Sequence, residues 1–332
     1  MPQIQTAVDY FGKVEHIFGS DRDWIYGSEA QAELGGRGLY WPRGKVVGGC
    51  SSFNTMVFLR GDPKDFDHWA RLVGDTTWAY ESVLPFFRRA ETHPKGESRL
   101  HGGTGPMTVA PLDDASHHPD DASNFTTKAF IRAALSLGMR ANRDFAYETL
   151  GVGCNDVNAR GGARCSTSAY LKRVGAYPTA GATETTSSTG ALTVWLETET
   201  TKIVWDASAS PPRAAGVQLS KRGATKVVRA RKEVIVCCGA VNSPLLLLKS
   251  GVGPRADLAA RGVDVVVESP GVGAHLVDPG QDVPFAVTST EESGGRRRER
   301  GEMTSEPFST LVSCETRSSR VGPRERDLRR AR

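Results

Sequence analysis

The chain has 332 residues and a formal net charge of +4 at neutral pH, and 39% of its residues are hydrophobic and 24% charged. This length supports one large or two medium domains. No uninterrupted apolar run approaches the roughly 18 residues of a membrane span, and the first residues lack the basic and apolar parts of a signal peptide. The sequence therefore does not assign a cellular compartment. Its 36 glycines favour a loop-rich α/β enzyme.

Charge and cysteine are unevenly distributed along the chain. Eleven arginines and eight acidic residues fall within 291–332, which has no apolar period and is predicted to be a disordered, arginine-rich tail. Such a tail could serve as an arm for nucleic acid or an anionic membrane, but its acidic residues argue against that role, and we expect no nucleic-acid partner. The six cysteines form no CxxC pair, so neither a zinc ribbon nor a disulfide framework is indicated.

Helical signals dominate the first half of the chain. Residues 62–74 predict a helix with Asp62 as its N-cap, Pro63 at its first position and Gly74 at its end. Three further segments show a helical pattern: 78–92, 124–139 and 164–174.

Strand signals follow from residue 191 onward. The segments rich in Val, Thr and Ile are 191–206, 214–221 and 225–240. The run "VIVCCGA" (234–240) is apolar without alternation, which favours a strand buried on both faces of a parallel sheet. A short helix is predicted to follow, capped by Asn242 or Ser243 and opened by Pro244.

Two glycine-containing segments point to a ligand. In "RGKVVGGCSSFNTMVFLRG" (43–61) the glycines let the backbone approach a flat or charged molecule, and the hydroxyls of Ser51 and Ser52 and the amide of Asn54 offer hydrogen bonds. The spacing does not fit a phosphate-binding P-loop. The second segment, "GAVNSPLLLLKSGVGP" (239–254), joins the predicted buried strand to its helix. Together they are predicted to form two walls of one cofactor cleft.

These segments resemble both signature motifs of the GMC (glucose–methanol–choline) oxidoreductases, which are FAD-dependent. The resemblance extends from about Asp23 to about Phe285, in matching order and spacing, and includes "DFDHWA", "HGGTGPMTV", "RCSTSAYL" and "PGVGAHLVD". The sequence is similar in character to the aryl-alcohol oxidase and choline dehydrogenase branches of this family. The resemblance implies an α/β fold: an incomplete Rossmann-like FAD/NAD(P)-binding domain with part of an α+β, antiparallel-sheet substrate domain.

The resemblance also implies a domain plan. Residues 1–290 would form the N-terminal, FAD-binding region of the family. Within it, 62–190 would contribute helices and part of the substrate domain, and 191–285 would return to the FAD domain. Residues 291–332 would be the disordered tail.

Carried over position by position, the resemblance assigns FAD-binding residues. Cys50 stands where the family usually has Ser, and Thr200 stands where a Val usually meets the adenine end through its main chain. The assigned residues are Arg43, Gly44, Val47, Gly48, Gly49, Cys50, Ser51, Asn54, Met56, Val57, Thr200, Gly239, Ala240 and Ser243.

The implied reaction is oxidation of a small-molecule alcohol to an aldehyde or ketone, with hydride passing to the flavin and then on to oxygen or a quinone. The family's first strand with its GxGxxG turn, and its histidine-bearing catalytic segment, have no counterpart here. We therefore assign no catalytic residue and no metal, and expect a truncated chain that is inactive alone and binds FAD weakly. The alternative is a non-catalytic remnant that serves as a binding or interaction module.

Overall fold

The computed structural model describes residues 17–112, 123–161, 163–206, 208–276 and 310–313. Contacts divide these residues into two compact units. The first contains the described residues up to Ala180, together with Thr186–Leu192 and the strand at 310–313. The second contains Gly181–Thr185 and the described residues from Thr193 onward. Apart from 310–313, the predicted tail lies outside the described residues.

Six α-helices lie in the described residues: α1 (Pro63–Val73), α2 (Tyr80–Ala90), α3 (Ser123–Ser136), α4 (Ala169–Arg173), α5 (Gly239–Lys249) and α6 (Arg255–Ala260). Three short 3-10 helices accompany them: Ala32–Leu34, Gly49–Ser52 and Thr76–Trp78.

The strands are mostly short and belong to separate small sheets. They are β1 (Tyr26–Gly27), β2 (Tyr40–Trp41), β3 (Val57–Phe58), β4 (Glu91–Thr92), β5 (Met107–Thr108), β6 (Ala110–Pro111), β7 (Gly151–Cys154), β8 (Asp156–Val157), β9 (Ala159–Arg160), β10 (Ala163–Arg164), β11 (Glu184–Thr186), β12 (Thr193–Trp195), β13 (Glu199–Asp206), β14 (Arg213–Lys221), β15 (Ala224–Arg229), β16 (Val252–Gly253), β17 (Val267–Glu268) and β18 (Thr310–Ser313). Two sheets have three strands, in the orders β3–β8–β6 and β13–β14–β15, and the others are two-stranded.

Helix α1 forms where local signals predict it. The Asp62 carboxylate accepts a hydrogen bond of 2.8 Å from the backbone N–H of Lys64, Pro63 occupies the first turn, and Gly74 ends the helix with a φ of 69°. The helix predicted over 78–92 is also confirmed, as α2.

The first unit packs around the sheet β3–β8–β6. Met56, Val157 and Ala159 are buried together there, and the partly buried Leu112 packs against them. Residue 56 directly precedes β3, so the end of the glycine-rich segment is anchored in this core.

The second unit contains the antiparallel sheet β13–β14–β15 with α5 packed on β13. Ser250, at the end of α5, is fully buried. Its hydroxyl donates to the carbonyl of Leu246 at 2.6 Å and accepts from the N–H of Ile203 at 2.8 Å, while its carbonyl accepts from the indole of Trp205 at 2.6 Å. Two hydrogen bonds, from Ile203 and Trp205, therefore join the end of the helix to the strand.

The buried parallel strand predicted for "VIVCCGA" is wrong. Residues 233–237 pair with no strand in the part of the chain that the structure describes, and Ile235 is 74% exposed. An apolar run becomes a strand only where a neighbour supplies the ladder hydrogen bonds. The predicted cap is also wrong, because α5 begins at Gly239 and contains Pro244.

Candidate functional site

The glycine-rich segment forms a tight turn followed by the 3-10 helix Gly49–Ser52. A Cβ on Gly44 would lie 2.4 Å from the carbonyl oxygen of Gly49. Gly48 has a φ of 91°, and a Cβ there would lie 2.5 Å from the Ser52 hydroxyl. The packing of the segment itself therefore requires these two glycines. Gly49, by contrast, faces open space in the described residues.

The two serine hydroxyls hold this turn together. The Ser52 hydroxyl donates to the carbonyl of Val47 at 2.8 Å, and the Ser51 hydroxyl donates to the carbonyl of Gly48 at 2.6 Å. The N–H of Thr167 donates to the Ser51 hydroxyl at 2.9 Å. The hydrogen bonds of these hydroxyls lie within the protein, so they stabilise the backbone conformation that a ligand would meet. The neighbouring thiol of Cys50 is exposed and free.

Arg164 fixes the last part of the turn. Its guanidinium donates to the side-chain oxygen and the carbonyl of Asn54, both at 2.8 Å, and to the carbonyl of Ser51 at 3.2 Å. The side-chain oxygen of Asn54 also accepts from the N–H of Met56 at 3.1 Å. Sequence reasoning missed Arg164 as part of the site, although "RCSTSAYL" contains it, because the contact bridges 110 residues.

Two donors at the same oxygen determine the orientation of the Asn54 amide. The oxygen must face Arg164 and Met56, so the NH₂ group points away from both. That NH₂ group has no hydrogen-bond partner in the described ranges, and Asn54 is exposed. The segment thus presents a fixed donor on its open side.

Met56 and Val57 connect the turn to the core. Met56 is 2% exposed and has a φ of 63°, and its carbonyl accepts from the N–H of Asn158 at 2.9 Å. Val57 pairs with Val157 across the β3–β8 ladder. The end of the turn is therefore fixed to the sheet β3–β8–β6.

Arg43, at the start of the segment, is bound to the buried residue Asp23. Its backbone N–H donates to the carboxylate of Asp23 at 2.9 Å, and its guanidinium lies over the ring of Trp41. Burial alone would raise the pKa of Asp23, but hydrogen bonds from the hydroxyl of Tyr40 and from backbone N–H groups, including that of Ile25, outweigh it and lower that pKa. Asp23 thus stays ionised and holds the entry to the turn.

The remaining predicted residues lie in the second unit. Thr200 lies in β13 and pairs with Leu219 of β14. Gly239 and Ala240 begin α5, and Gly239 has a φ of 84° with open space around its missing side chain. The hydroxyl of Ser243 accepts from the N–H of Cys238 at 3.1 Å, which holds the first turn of the helix.

Sequence reasoning also missed a buried ion network in the first unit. The guanidinium of Arg60 donates to the carboxylate of Glu91 at 2.9 Å, and both side chains are 1% exposed. His101 bonds Glu91 and Asp144, each at 2.9 Å. His93 stacks on His101 with ring centroids 3.8 Å apart.

Three members of the network, His101, Glu91 and Asp144, have pKa values shifted so that each is charged at neutral pH. Burial opposes the charge on His101, but hydrogen bonds to Asp144 and Glu91 outweigh it and raise the pKa of His101 to about 9. Burial would raise the pKa of Glu91 and of Asp144, but their hydrogen bonds, above all with His101, lower both pKa values. His93 extends the network to Asp156 at 3.3 Å, in the strand beside Val57.

No group of three or more His, Cys, Asp or Glu side chains in the described residues could hold a metal ion. Nor does that part of the chain contain a helix long and apolar enough to cross a membrane.

Known proteins match this chain over most of its described length. The human mitochondrial choline dehydrogenase is 37% identical over 258 residues, which cover 77% of this chain and 39% of that protein. An uncharacterised GMC-type oxidoreductase of Mycobacterium tuberculosis is 39% identical over 267 residues, which cover 79% of this chain and 46% of that protein. The chain thus spans less than half the length of these relatives.

Solved structures give the same result. The pyridoxine 4-oxidase from Mesorbium loti superposes with a TM-score of 0.67 at 28% identity, over 79% of this chain and 48% of that protein. A fungal aryl-alcohol oxidase superposes with a TM-score of 0.61 at 21% identity, which supports the fold alone. These matches confirm the expected mixed α/β fold, an incomplete form of the domain in those structures. Residues 23–279 match the GMC oxidoreductase family, and the chain belongs to it.

Proposed function

We propose that this chain forms part of an FAD-dependent oxidoreductase that acts on the CH–OH group of a small alcohol. Family membership supports the oxidoreductase class, and the names of the relatives support an alcohol substrate. The observation that carries the proposal for this chain is the fixed, outward-facing NH₂ group of Asn54 on a turn of closely packed glycines.

The residues present fit a flavin. The open space at Gly49 leaves room for a ligand, and the exposed Cys50 and the NH₂ group of Asn54 lie close to it in the sequence. In the second unit, Gly239 and Ala240 expose a helix start whose N–H groups suit an anionic group. Thr200 remains assigned by the family pattern only.

When bound, FAD would supply a hydride acceptor, whose reoxidation by oxygen or a quinone completes the cycle. The chain's own residues would bind and orient it. Arg164 and Ser51 hold the turn, and the NH₂ group of Asn54 would donate a hydrogen bond to the cofactor. Neither His93 nor His101 is placed to take the alcohol proton, because both are buried and hydrogen-bonded to carboxylates.

The first test is a titration of the full chain with FAD, followed by flavin fluorescence, for the wild type and Asn54→Asp. Aspartate keeps the oxygen that accepts from Arg164 and Met56 but replaces the donor with a second acceptor. We expect about fivefold weaker FAD binding with unchanged thermal unfolding, since one hydrogen bond contributes roughly 1 kcal/mol.

Thr55→Ser, at the exposed neighbouring position, is the control and should bind as the wild type does. Equal affinity in Asn54→Asp, or no FAD binding by the wild-type chain, would contradict the assignment. Alcohol-dependent reduction of an acceptor dye, measured separately, then distinguishes an enzyme from a binding module that carries no chemistry.

A further inference from the structure

A pocket in the first unit is lined in part by Arg164, which also bonds Asn54 and Ser51 of the glycine-rich turn. Its volume is about 540 Å³, and two chain segments line it. One is the loop that leads into β5, and the other runs from β10 through α4. The lining residues are Gly105, Pro106, Thr108, Arg164, Cys165, Ser166, Ser168, Ala169, Lys172 and Arg173.

The lining of this pocket is strongly cationic. It includes three basic residues, Arg164, Lys172 and Arg173, and no Asp or Glu. Across the described ranges, neither Lys172 nor Arg173 has a carboxylate within ion-pair distance. Instead the guanidinium of Arg173 donates to the carbonyl of Thr104 at 3.0 Å, and the ammonium of Lys172 lies 4.9 Å from the ring centroid of Tyr177. Like charges held near one another in a concave site create a positive potential that an anion relieves.

The wall between these cations is polar and held in place. The hydroxyls of Ser166 and Ser168 lie 2.6 Å apart, and both residues are buried. One hydroxyl proton is used between them, which leaves the other to donate elsewhere. Arg164 is fixed by its bonds to Asn54 and Ser51. A site whose donors are already ordered loses little conformational entropy when it binds.

We propose that this pocket binds a small molecule bearing a phosphate group, at a site separate from the flavin. Clustered Lys and Arg side chains with nearby hydroxyl donors match the several acceptor oxygens of a phosphate. The cavity is larger than a single phosphate group requires, so it also accommodates the molecule that carries the group. FAD contains a diphosphate of the same chemistry, and the experiment below separates the two sources.

Isothermal titration calorimetry of the full chain with pyrophosphate tests the site. We expect saturable binding that weakens as ionic strength rises. Lys172→Gln and Arg173→Gln should each lower the affinity by up to about fivefold, the range for one exposed charge pair. Both side chains are exposed, so the fold should tolerate either change. Lys226→Gln is the matched control, because the Lys226 ammonium also lies over a ring, that of Trp195, in the second unit.

Unchanged affinity in both Lys172→Gln and Arg173→Gln, or the absence of saturable binding by the wild type, would overturn the proposal. The second arm repeats the pyrophosphate titration with excess FAD and, separately, with excess riboflavin, which has no phosphate. We expect neither flavin to change the pyrophosphate affinity. Displacement by FAD but not by riboflavin would assign the pocket to the cofactor's own diphosphate and would overturn a separate site.

Discussion

Arg164 is the residue on which the shape of the turn depends most. It is 8% exposed and makes three hydrogen bonds to backbone and side-chain oxygens between Ser51 and Asn54. Removing a buried charged group that makes several hydrogen bonds is destabilising, because all of those bonds are lost together.

We expect Arg164→Ala to lower the free energy of unfolding by about 3 kcal/mol, since the substitution removes a buried guanidinium and its three hydrogen bonds to Ser51 and Asn54. Urea unfolding of the two proteins measures the change. Arg160→Ala, at an exposed position in β9, is the matched control and should change the free energy by less than about 0.5 kcal/mol. A similar loss in both variants would show that the three hydrogen bonds of Arg164 do not contribute to the free energy of unfolding.

Gly44 is the second residue whose identity the turn requires. Gly44→Ala would place a Cβ 2.4 Å from the carbonyl of Gly49, so the turn must shift. We expect a loss of about 1–3 kcal/mol in unfolding free energy, as for other overpacked sites. Gly271→Ala, where the structure has open space and an ordinary φ, should unfold like the wild type. Thermal unfolding that is identical in the two variants would disprove the close approach.

At the scale of the elements, the ion network joins Glu91 of β4 to Arg60, which follows β3, and to the loops that carry His101 and Asp144. The pKa of His101 is raised from its ordinary 6.5 to about 9, so its contribution to stability is complete below pH 6.5 and is lost as the pH rises through 9. Glu91 and Asp144 have lowered pKa values, so their contribution is present above pH 5 and is lost in acid. Stability should therefore be highest between about pH 5 and 7.

His101→Gln tests this dependence. The variant should be less stable at pH 6 and should lose less stability than the wild type between pH 6.5 and 9, because its side chain carries no proton to release. Urea unfolding across that range gives the two profiles. His68→Gln, at an exposed position on α1, should follow the wild-type profile. Parallel profiles for His101→Gln and the wild type would rule out a charged His101 in the folded state.

The junction between α5 and β13 gives another prediction at this scale. Ser250→Ala would leave the N–H of Ile203 without its acceptor in a fully buried position. We expect a loss of about 1–3 kcal/mol in unfolding free energy. Ser136→Ala, at the exposed end of α3, is the control and should cost much less. If both losses are equally small, the junction does not depend on the Ser250 hydroxyl.

Over the whole molecule, the sequence predicts secondary structure correctly where the signals depend on neighbouring residues. Asp62, Pro63 and Gly74 predicted α1 because cap, first turn and end each depend on near neighbours. The motifs and their order also predicted the family and the fold. The partners of Asn54 could not be predicted, because Arg164 lies 110 residues away. The "VIVCCGA" strand failed for a related reason, since an apolar pattern does not show whether a neighbouring strand is present.

That long-range contact has a consequence for biosynthesis. A ribosome adds about 5–20 residues per second, so Arg164 leaves it roughly 5–20 s after Asn54. During that interval the nascent turn lacks the guanidinium that orients its amide. The turn can therefore reach its final shape, on which the proposed flavin contact depends, only after Arg164 has been synthesised.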